Sequence, residues 1–370
     1  MRSVWWRYSA ACGRFLATVV ALYVLVLLVM TSSALAQSGV GRAVNTATGA
    51  SLADAVDKNL NELLAGDGSG STAVGGTFSI IPTGRLRTSD HVSLRTSAAP
   101  VGNFAWDTME GSAFANGVYV MPGVVLGGQL KLSIFGGFNE VTLKIKDGDD
   151  TLSIADFQRG SALNDSALFG GAALWASPKG MYAMATLVGF IGETKLNDAI
   201  DFCTPPCVMR HYRFDTSGFT ATGTTGQTFK LPGSATGPML DIRGAVSYIQ
   251  NMGDTFFNHL GDEYKFKFST WTATGSATLF WNIAQQNSAL LRPYVQGYVR
   301  QEVGYNNKLK FVDAGVPGFA HYDQAHTYGG VDLGLTYTQG KMTFGAAGYV
   351  DASADETTFG GRLGASWKLN

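Results

Sequence analysis

The final stretch of the chain, Thr327–Leu369, limits the possible folds more than any other. Three segments there alternate apolar and polar residues with period two. Val331, Leu333, Leu335 and Tyr337 alternate with Asp332, Gly334, Thr336 and Thr338. After a tight turn at Gln339-Gly340, Met342, Phe344, Ala346, Gly348 and Val350 alternate with Thr343, Gly345, Ala347 and Tyr349. Beyond a polar loop, Asp351–Thr357, the last segment sets Phe359, Gly361, Leu363, Ala365, Trp367 and Leu369 against Gly360, Arg362, Gly364, Ser366 and Lys368. Successive side chains of a strand point to opposite faces, so each segment has one oily and one wet face.

A soluble sandwich alternates in the same way. Three features favour a membrane barrel instead. The segments run to about 10–12 residues, the length a tilted strand needs to cross a bilayer. Their wet faces carry Gly, Thr, Ser and charges, which suit an aqueous lumen. Aromatic residues sit at the strand ends, where interfacial girdles lie.

The N-terminus reads as an export signal. Arg2, Arg7 and Arg14 precede or flank the apolar run Phe15–Met30, and Ala34-Leu35-Ala36 forms an A-x-A site with cleavage expected between Ala36 and Gln37. An uncleaved anchor is the rival reading, but the run falls short of the roughly 20 residues that a spanning helix prefers. The whole chain has a formal charge of −1, which becomes −4 once the three signal arginines are removed. So mild a balance argues against nucleic acid as a partner, because that needs a clustered basic footprint. Of three cysteines, Cys12 leaves with the signal, while Cys203 and Cys207 stay in one loop. Export places them in an oxidising compartment, and a small disulfide is expected. Two cysteines are too few ligands for a metal site, and C-x3-C is not the redox spacing.

Residues 37–100 read as a polar leader. It contains a helix over 51–65, capped by Ser51, with Leu52, Val56, Leu60 and Leu63 on one face and Gly66 at its end. Gly66–Gly76 reads as a flexible linker. Thr77–Arg87 and His91–Arg95 are weaker strand candidates. From about Asn116 strands recur regularly, and a loss of phase between Phe138 and Val141 reads as a bulge near Asn139-Glu140. Connections then alternate in length. The short ones are 127–128, 177–179, 232–239, 284–288 and 339–340, and the long ones are 147–160, 195–210, 252–263, 305–326 and 351–357. Bacterial outer-membrane barrels have short periplasmic turns and longer outer loops. One further N-terminal strand, within Gly102–Gly111 or Thr77–Arg87, makes an even count. The expected fold is all-β: a closed antiparallel transmembrane β-barrel of about 12 strands spanning 101–370, with the short N-terminal helix free to sit in its lumen.

The faces of the other strands fit this scheme. Trp271, Ala273, Gly275, Ala277 and Leu279 oppose Thr272, Thr274, Ser276 and Thr278. Asp241, Arg243, Arg292, Arg300, Glu302, Asp332 and Arg362 all fall on the wet side and are expected to line the lumen. Trp175, Trp281, Tyr337 and Trp367 each lie near a short turn or the C-terminus, where a periplasmic aromatic girdle belongs.

The closing pattern Gly329-Gly330-Val331-Asp332-Leu333-Gly334-Leu335, the strand Leu291-Arg292-Pro293-Tyr294 and the last strand Phe359–Leu369 resemble the translocator barrel of bacterial autotransporters over roughly residues 100–370. The resemblance implies twelve strands, a pore-threading helix to which Ser51–Ala65 corresponds in kind and order, and a last strand recognised by the barrel-assembly machinery. The chain departs from the family by ending Leu369-Asn370 instead of on an aromatic residue. It also leaves only Gln37 to about Ser51 ahead of the helix, too little for a stacked β-helical passenger.

Catalytic and metal motifs find no support. His321 and His326 share a loop, and Asp147, Asp149 and Asp150 cluster, but neither group has the ligand count or spacing of a metal site. No nucleophile elbow or P-loop occurs. The expectation is a monomeric, non-enzymatic outer-membrane barrel with no cofactor. It contacts lipid and the assembly machinery, and it acts through its outer loops or by displaying a short N-terminal segment. A small porin-like diffusion channel is the alternative.

Overall fold

The computed structural model describes residues 75–89, 93–98, 105–108, 111–126, 130–145, 161–197, 211–232, 238–257, 263–285, 288–313, 316–323, 327–353 and 356–369. The signal region, the helix expected over 51–65 and the Cys203/Cys207 pair lie outside them. Every regular element among the described residues is a strand. In chain order these are β1 (Gly75–Ser89), β2 (Ser93–Ala98), β3 (Ala105–Thr108), β4 (Gly111–Leu126), β5 (Leu130–Ile145), β6 (Ser161–Ala176), β7 (Met181–Asn197), β8 (His211–Lys230) and β9 (Met239–Gly253). They continue with β10 (Phe256–Phe257), β11 (Glu263–Phe280), β12 (Ile283–Ala284), β13 (Leu290–Asp313), β14 (Val316–Asp323), β15 (Thr327–Gln339), β16 (Met342–Ala352) and β17 (Glu356–Leu369).

All seventeen belong to one sheet, and all the pairings are antiparallel. The long strands follow one another as β4-β5-β6-β7-β8-β9-β11-β13-β15-β16-β17. β17 then pairs with β1, from Gly76↔Leu369 to Ser89↔Glu356, and β1 pairs with β4, from Gly75↔Val125 to Ser89↔Gly111. The sheet therefore takes in residues 75–98, part of the leader in the sequence reading, which offers Thr77–Arg87 as one of two candidates for the further strand.

Short turns are tight because glycine takes the conformations they require. Gly340 has φ 58° and Gly180 has φ 83°, both in the left-handed region that costs other residues free energy. At Gly180 the carbonyl accepts a hydrogen bond from Thr228 N at 2.9 Å. A Cβ there would lie 2.6 Å from Thr228 O, so the position needs glycine on steric grounds as well. The register Gln339↔Met342 makes Gly340-Lys341 the two turn residues, one position later than the sequence suggested.

Three other expectations are corrected. The β4–β5 and β5–β6 ladders run through Asn139 and Glu140 without a shift, so no bulge lies there. Val141 points to the buried face, and apolarity on that face was mistaken for lost phase. The register shift lies instead at Ser269/Trp271, between β11 and β13. Residues 305–326 are not a simple loop: β13 continues to Asp313 and pairs with β14, which pairs in turn with β2. Asp351 belongs to β16 and not to the loop after it.

Burial is inverted relative to a water-soluble protein. Ile134, Leu187, Leu333 and Leu363 are 58–67% exposed. Asp241, Arg243, Asp332 and Arg362 are 4–7% exposed. Charged side chains are almost never buried without partners, and large apolar ones usually are buried. On β9, β15, β16 and β17 the outward-facing positions are the mainly apolar ones, whereas β6 and β7 bury Leu168, Leu174, Met184, Val188 and Phe190 beside polar residues on their inner faces.

Candidate functional site: the buried polar face

The inward positions of β7 to β17 carry three ionic clusters. In the first, Asp241 on β9 accepts hydrogen bonds from Tyr182 Oη on β7 at 2.9 Å and from Thr228 Oγ1 on β8 at 3.1 Å. Arg243 Nε lies 3.9 Å from the Asp241 carboxylate and donates to Ser276 Oγ at 3.0 Å. The cluster thus ties β7, β8, β9 and β11 together. In the second, Arg362 on β17 pairs with Asp332 on β15 and donates to Tyr294 Oη on β13 at 2.8 Å, while Tyr294 donates to Asp332 at 3.2 Å. In the third, Arg300 on β13 lies 3.5 Å from Asp351 on β16 and 4.4 Å over the ring of the buried Tyr328.

Each of these side chains is on the inner face because its neighbours in sequence are apolar and point outward. Asp241 and Arg243 are neighbours on one face of β9, while the partners of the other two pairs lie two strands apart, brought together by antiparallel register. Ion pairs away from water hold only when further hydrogen bonds satisfy their remaining donors and acceptors. In the first two clusters the hydroxyls of Tyr182, Thr228, Ser276 and Tyr294 supply part of them.

The expected inner-face residues divide as follows. Asp241 with Arg243, and Asp332 with Arg362, are brought together. Arg300 is paired, but with Asp351. Arg292 stands apart near the short-turn end; its Nε donates to Asn282 Oδ1 at 2.7 Å and its guanidinium lies 5.2 Å from the Phe280 ring. Glu302 is half-buried on the same face of β13. Trp175, Trp281, Tyr337 and Trp367 lie at the short-turn end of their hairpins, with Trp175↔Leu130, Tyr337↔Phe344 and Met342↔Trp367 as ladder partners. His321 falls in β14, while His326 and Asp147, Asp149 and Asp150 lie outside the described residues. Among the described residues no group of three or more His, Cys, Asp or Glu is placed to hold a metal ion.

Two features escaped the sequence reading. Inward tyrosines lie directly across from glycines: Tyr182↔Gly226, Tyr294↔Gly334, Tyr298↔Gly330 and Tyr349↔Gly360. At each of these glycines the nearest atoms to an added Cβ belong to that tyrosine ring, so the ring occupies space any other residue would fill. The signal was visible as glycine on the wet phase of a strand, but finding its partner requires the register. The second feature is a neutral network in which Asn164 Nδ2 donates to Thr194 Oγ1 at 2.8 Å and to Thr216 Oγ1 at 2.9 Å across β6, β7 and β8.

This architecture is the fold of autotransporter translocator domains. The chain superposes on the translocator domain of autotransporter NalP from Neisseria meningitidis with a TM-score of 0.57 and 15% identity, covering 86% of this chain and 97% of that one. For the transport unit of the autotransporter AIDA-I from Escherichia coli the TM-score is 0.56 and the identity 10%, over 79% of this chain and 90% of that one. For the beta domain of the Bordetella autotransporter BrkA they are 0.55 and 12%, over 80% and 99%. The likeness is one of fold. No protein-family model matches the sequence, and no curated protein matches it.

Proposed function

We propose that this chain is an integral outer-membrane protein of autotransporter type. It is exported by a signal cleaved after Ala36, and its sheet closes into a twelve-stranded barrel. The last strand is the segment that the assembly machinery engages, and the four aromatic residues at the short-turn end form the periplasmic girdle. The barrel acts through its outer loops or by displaying a short N-terminal segment, with the helix expected over 51–65 in its lumen.

The observation that carries this reading is the inverted burial of a ladder that returns from β17 through β1 to β4. The height of the apolar surface supports it. On β7 the outward residues from Met181 to Ile191 are uncharged, and Glu193 and Lys195 follow. Ten residue steps measure about 33 Å, which a strand tilted by about 40° turns into the 25 Å apolar band of such barrels. Asp165↔Glu193↔Asp215 form one cross-strand row above it.

The test is electrophoretic. Purified protein should migrate faster unboiled than boiled, because a closed sheet has no edge from which to unravel; identical mobility would reject closure. A diffusion channel is the second reading, favoured by the charged inner face. Single-channel recording separates the two. Low conductance that rises when residues 37–74 are deleted supports the filled lumen, whereas large steady conductance in the intact protein supports the channel.

A further inference from the structure

Outward positions on β11 stay uncharged from Leu279 through Ala277, Gly275, Ala273 and Trp271 to Ser269, the same ten residue steps that span the apolar band on β7. The next two outward residues are Lys267 and Lys265, both exposed. Among the described residues neither enters an ion pair. Their neighbours across the ladders supply no carboxylate. Lys267 stands opposite Met252 on β9 and Lys308 on β13, and Lys265 stands opposite Lys310. Four lysines thus fill two successive cross-strand pairs, an arrangement in which like charges destabilise a sheet.

The pairs exist because of the register shift in this ladder. Between Trp271↔Val303 and Ser269↔Asn306, β13 sets two residues, Gly304 and Tyr305, opposite the single Thr270. Gly304 has φ 64°, which glycine adopts at little cost, and an added Cβ there would lie 3.3 Å from Trp271 Cδ1. One extra residue exchanges the faces of everything beyond it. In the phase of Val299 and Val303, Leu309 and Phe311 would take the outward register positions. The bulge gives those positions to Lys308 and Lys310 instead.

Aromatic rings lie just short of the lysines on the same outer face. Tyr248 is 4.9 Å from Trp271, and Phe219 is 5.7 Å from Tyr248. Such rings mark the boundary between acyl chains and headgroups. Charges past the belt on β6, β7 and β8 are arranged differently: Lys195 Nζ lies 3.2 Å from Asp165, and Arg213 Nε lies 3.6 Å from Glu193. That row supplies its own counter-charges, whereas the lysine pairs need an anion from outside.

Resting on the outer-membrane reading, which puts the long-loop end in the outer leaflet, we propose that Lys265, Lys267, Lys308 and Lys310 form a binding surface for the phosphates of an outer-leaflet lipid headgroup. Such a lipid is anionic, carries its phosphates at the height of the lysines, and has acyl chains to lay on the Trp271 surface below. A soluble anion has the charge alone.

The test uses the full-length protein folded in uncharged detergent micelles, with a fluorescent diphosphorylated lipid A as probe. Lys265→Gln with Lys267→Gln should weaken binding about thirtyfold. Lys265→Arg with Lys267→Arg keeps both charges and should stay within about threefold of the parent. Lys195→Gln with Arg213→Gln should change binding by less than about twofold, because carboxylates already hold those cations. Removing both phosphates from the lipid should abolish the difference between the parent and the Gln pair. The proposal is overturned by equal binding in the parent and the Gln pair, by an Arg pair as weak as the Gln pair, or by an equal loss in the β7/β8 variant. Full displacement of the lipid by inorganic phosphate at the same concentration also overturns it, since the site would then take free phosphate. Unboiled mobility of the same samples separates the two readings. Fast-migrating variants that bind like the parent remove the lysine surface and leave the barrel standing, whereas a parent without fast mobility removes the barrel and the surface with it.

Discussion

Two kinds of residue hold the inner face together, and they fail differently when changed. Arg362 and Asp332 are buried together, so removing one charge strands the other. Arg362→Met should cost about 3–5 kcal/mol, and the double change Arg362→Met with Asp332→Leu should cost clearly less than the two single changes added together. The urea midpoint of the mobility shift measures both. Gly334 acts by absence. Gly334→Val must displace the Tyr294 ring that lies against it, at a cost of about 1–3 kcal/mol, and much of that cost should vanish in a Tyr294→Ala background. If the cost persists there, the ring is not what requires the glycine. That Asp241, Arg243, Asp332 and Arg362 share one face was legible from period two alone. That Tyr182 reaches Asp241 across Gly226 was not, because those three residues meet only once β7, β8 and β9 are in register. The Arg300–Asp351 pair was hidden for a related reason: a polar run near a strand end looks like loop until the ladder shows where pairing stops.

The same division holds for elements. A strand facing lipid on one side and water on the other announces itself by alternation, and β9, β11, β15, β16 and β17 were all legible this way. β5 was misread near Val141 because its inner face changes from polar to apolar there, and alternation then loses contrast although the backbone keeps its register. The ribbon of β13 and β14 was read as a loop because its pairing extends past the apolar belt, where neither face has to be oily. The belt itself makes a depth-dependent prediction. Leu187→Arg, at mid-belt on β7, should destabilise the protein in a bilayer by about 2–4 kcal/mol, whereas Ser217→Arg, near the charged row on β8, should cost about 0–1 kcal/mol. Equal costs at the two sites would remove the grounds for placing lipid against this surface. At the turns, local chemistry sufficed: Gly180 and Gly340 mark hairpins because few other residues accept those backbone angles at so small a cost.

At the scale of the molecule the decisive fact is where the first strand goes. β1 lies between β17 and β4, so the two ends of the sheet are joined by a strand whose own alternation is faint. Changing Ser79 and Ser366, which are ladder partners, to Cys should produce a disulfide that holds the fast-migrating form through boiling until reductant is added. A pair that stays reduced in folded protein would place β1 elsewhere. From the sequence alone came the class of strand, the side that carries charge, the alternation of short and long connections, and hence an antiparallel sheet that is oily outside. All of these follow from local rules of period, turn geometry and polarity, which act over a few residues. The tertiary structure alone decided which strand joins β17 to β4, which charges meet and which glycine each tyrosine covers. Those outcomes depend on pairing between residues far apart in the chain, where many registers satisfy the same local pattern and only the pairing of the whole sheet selects one.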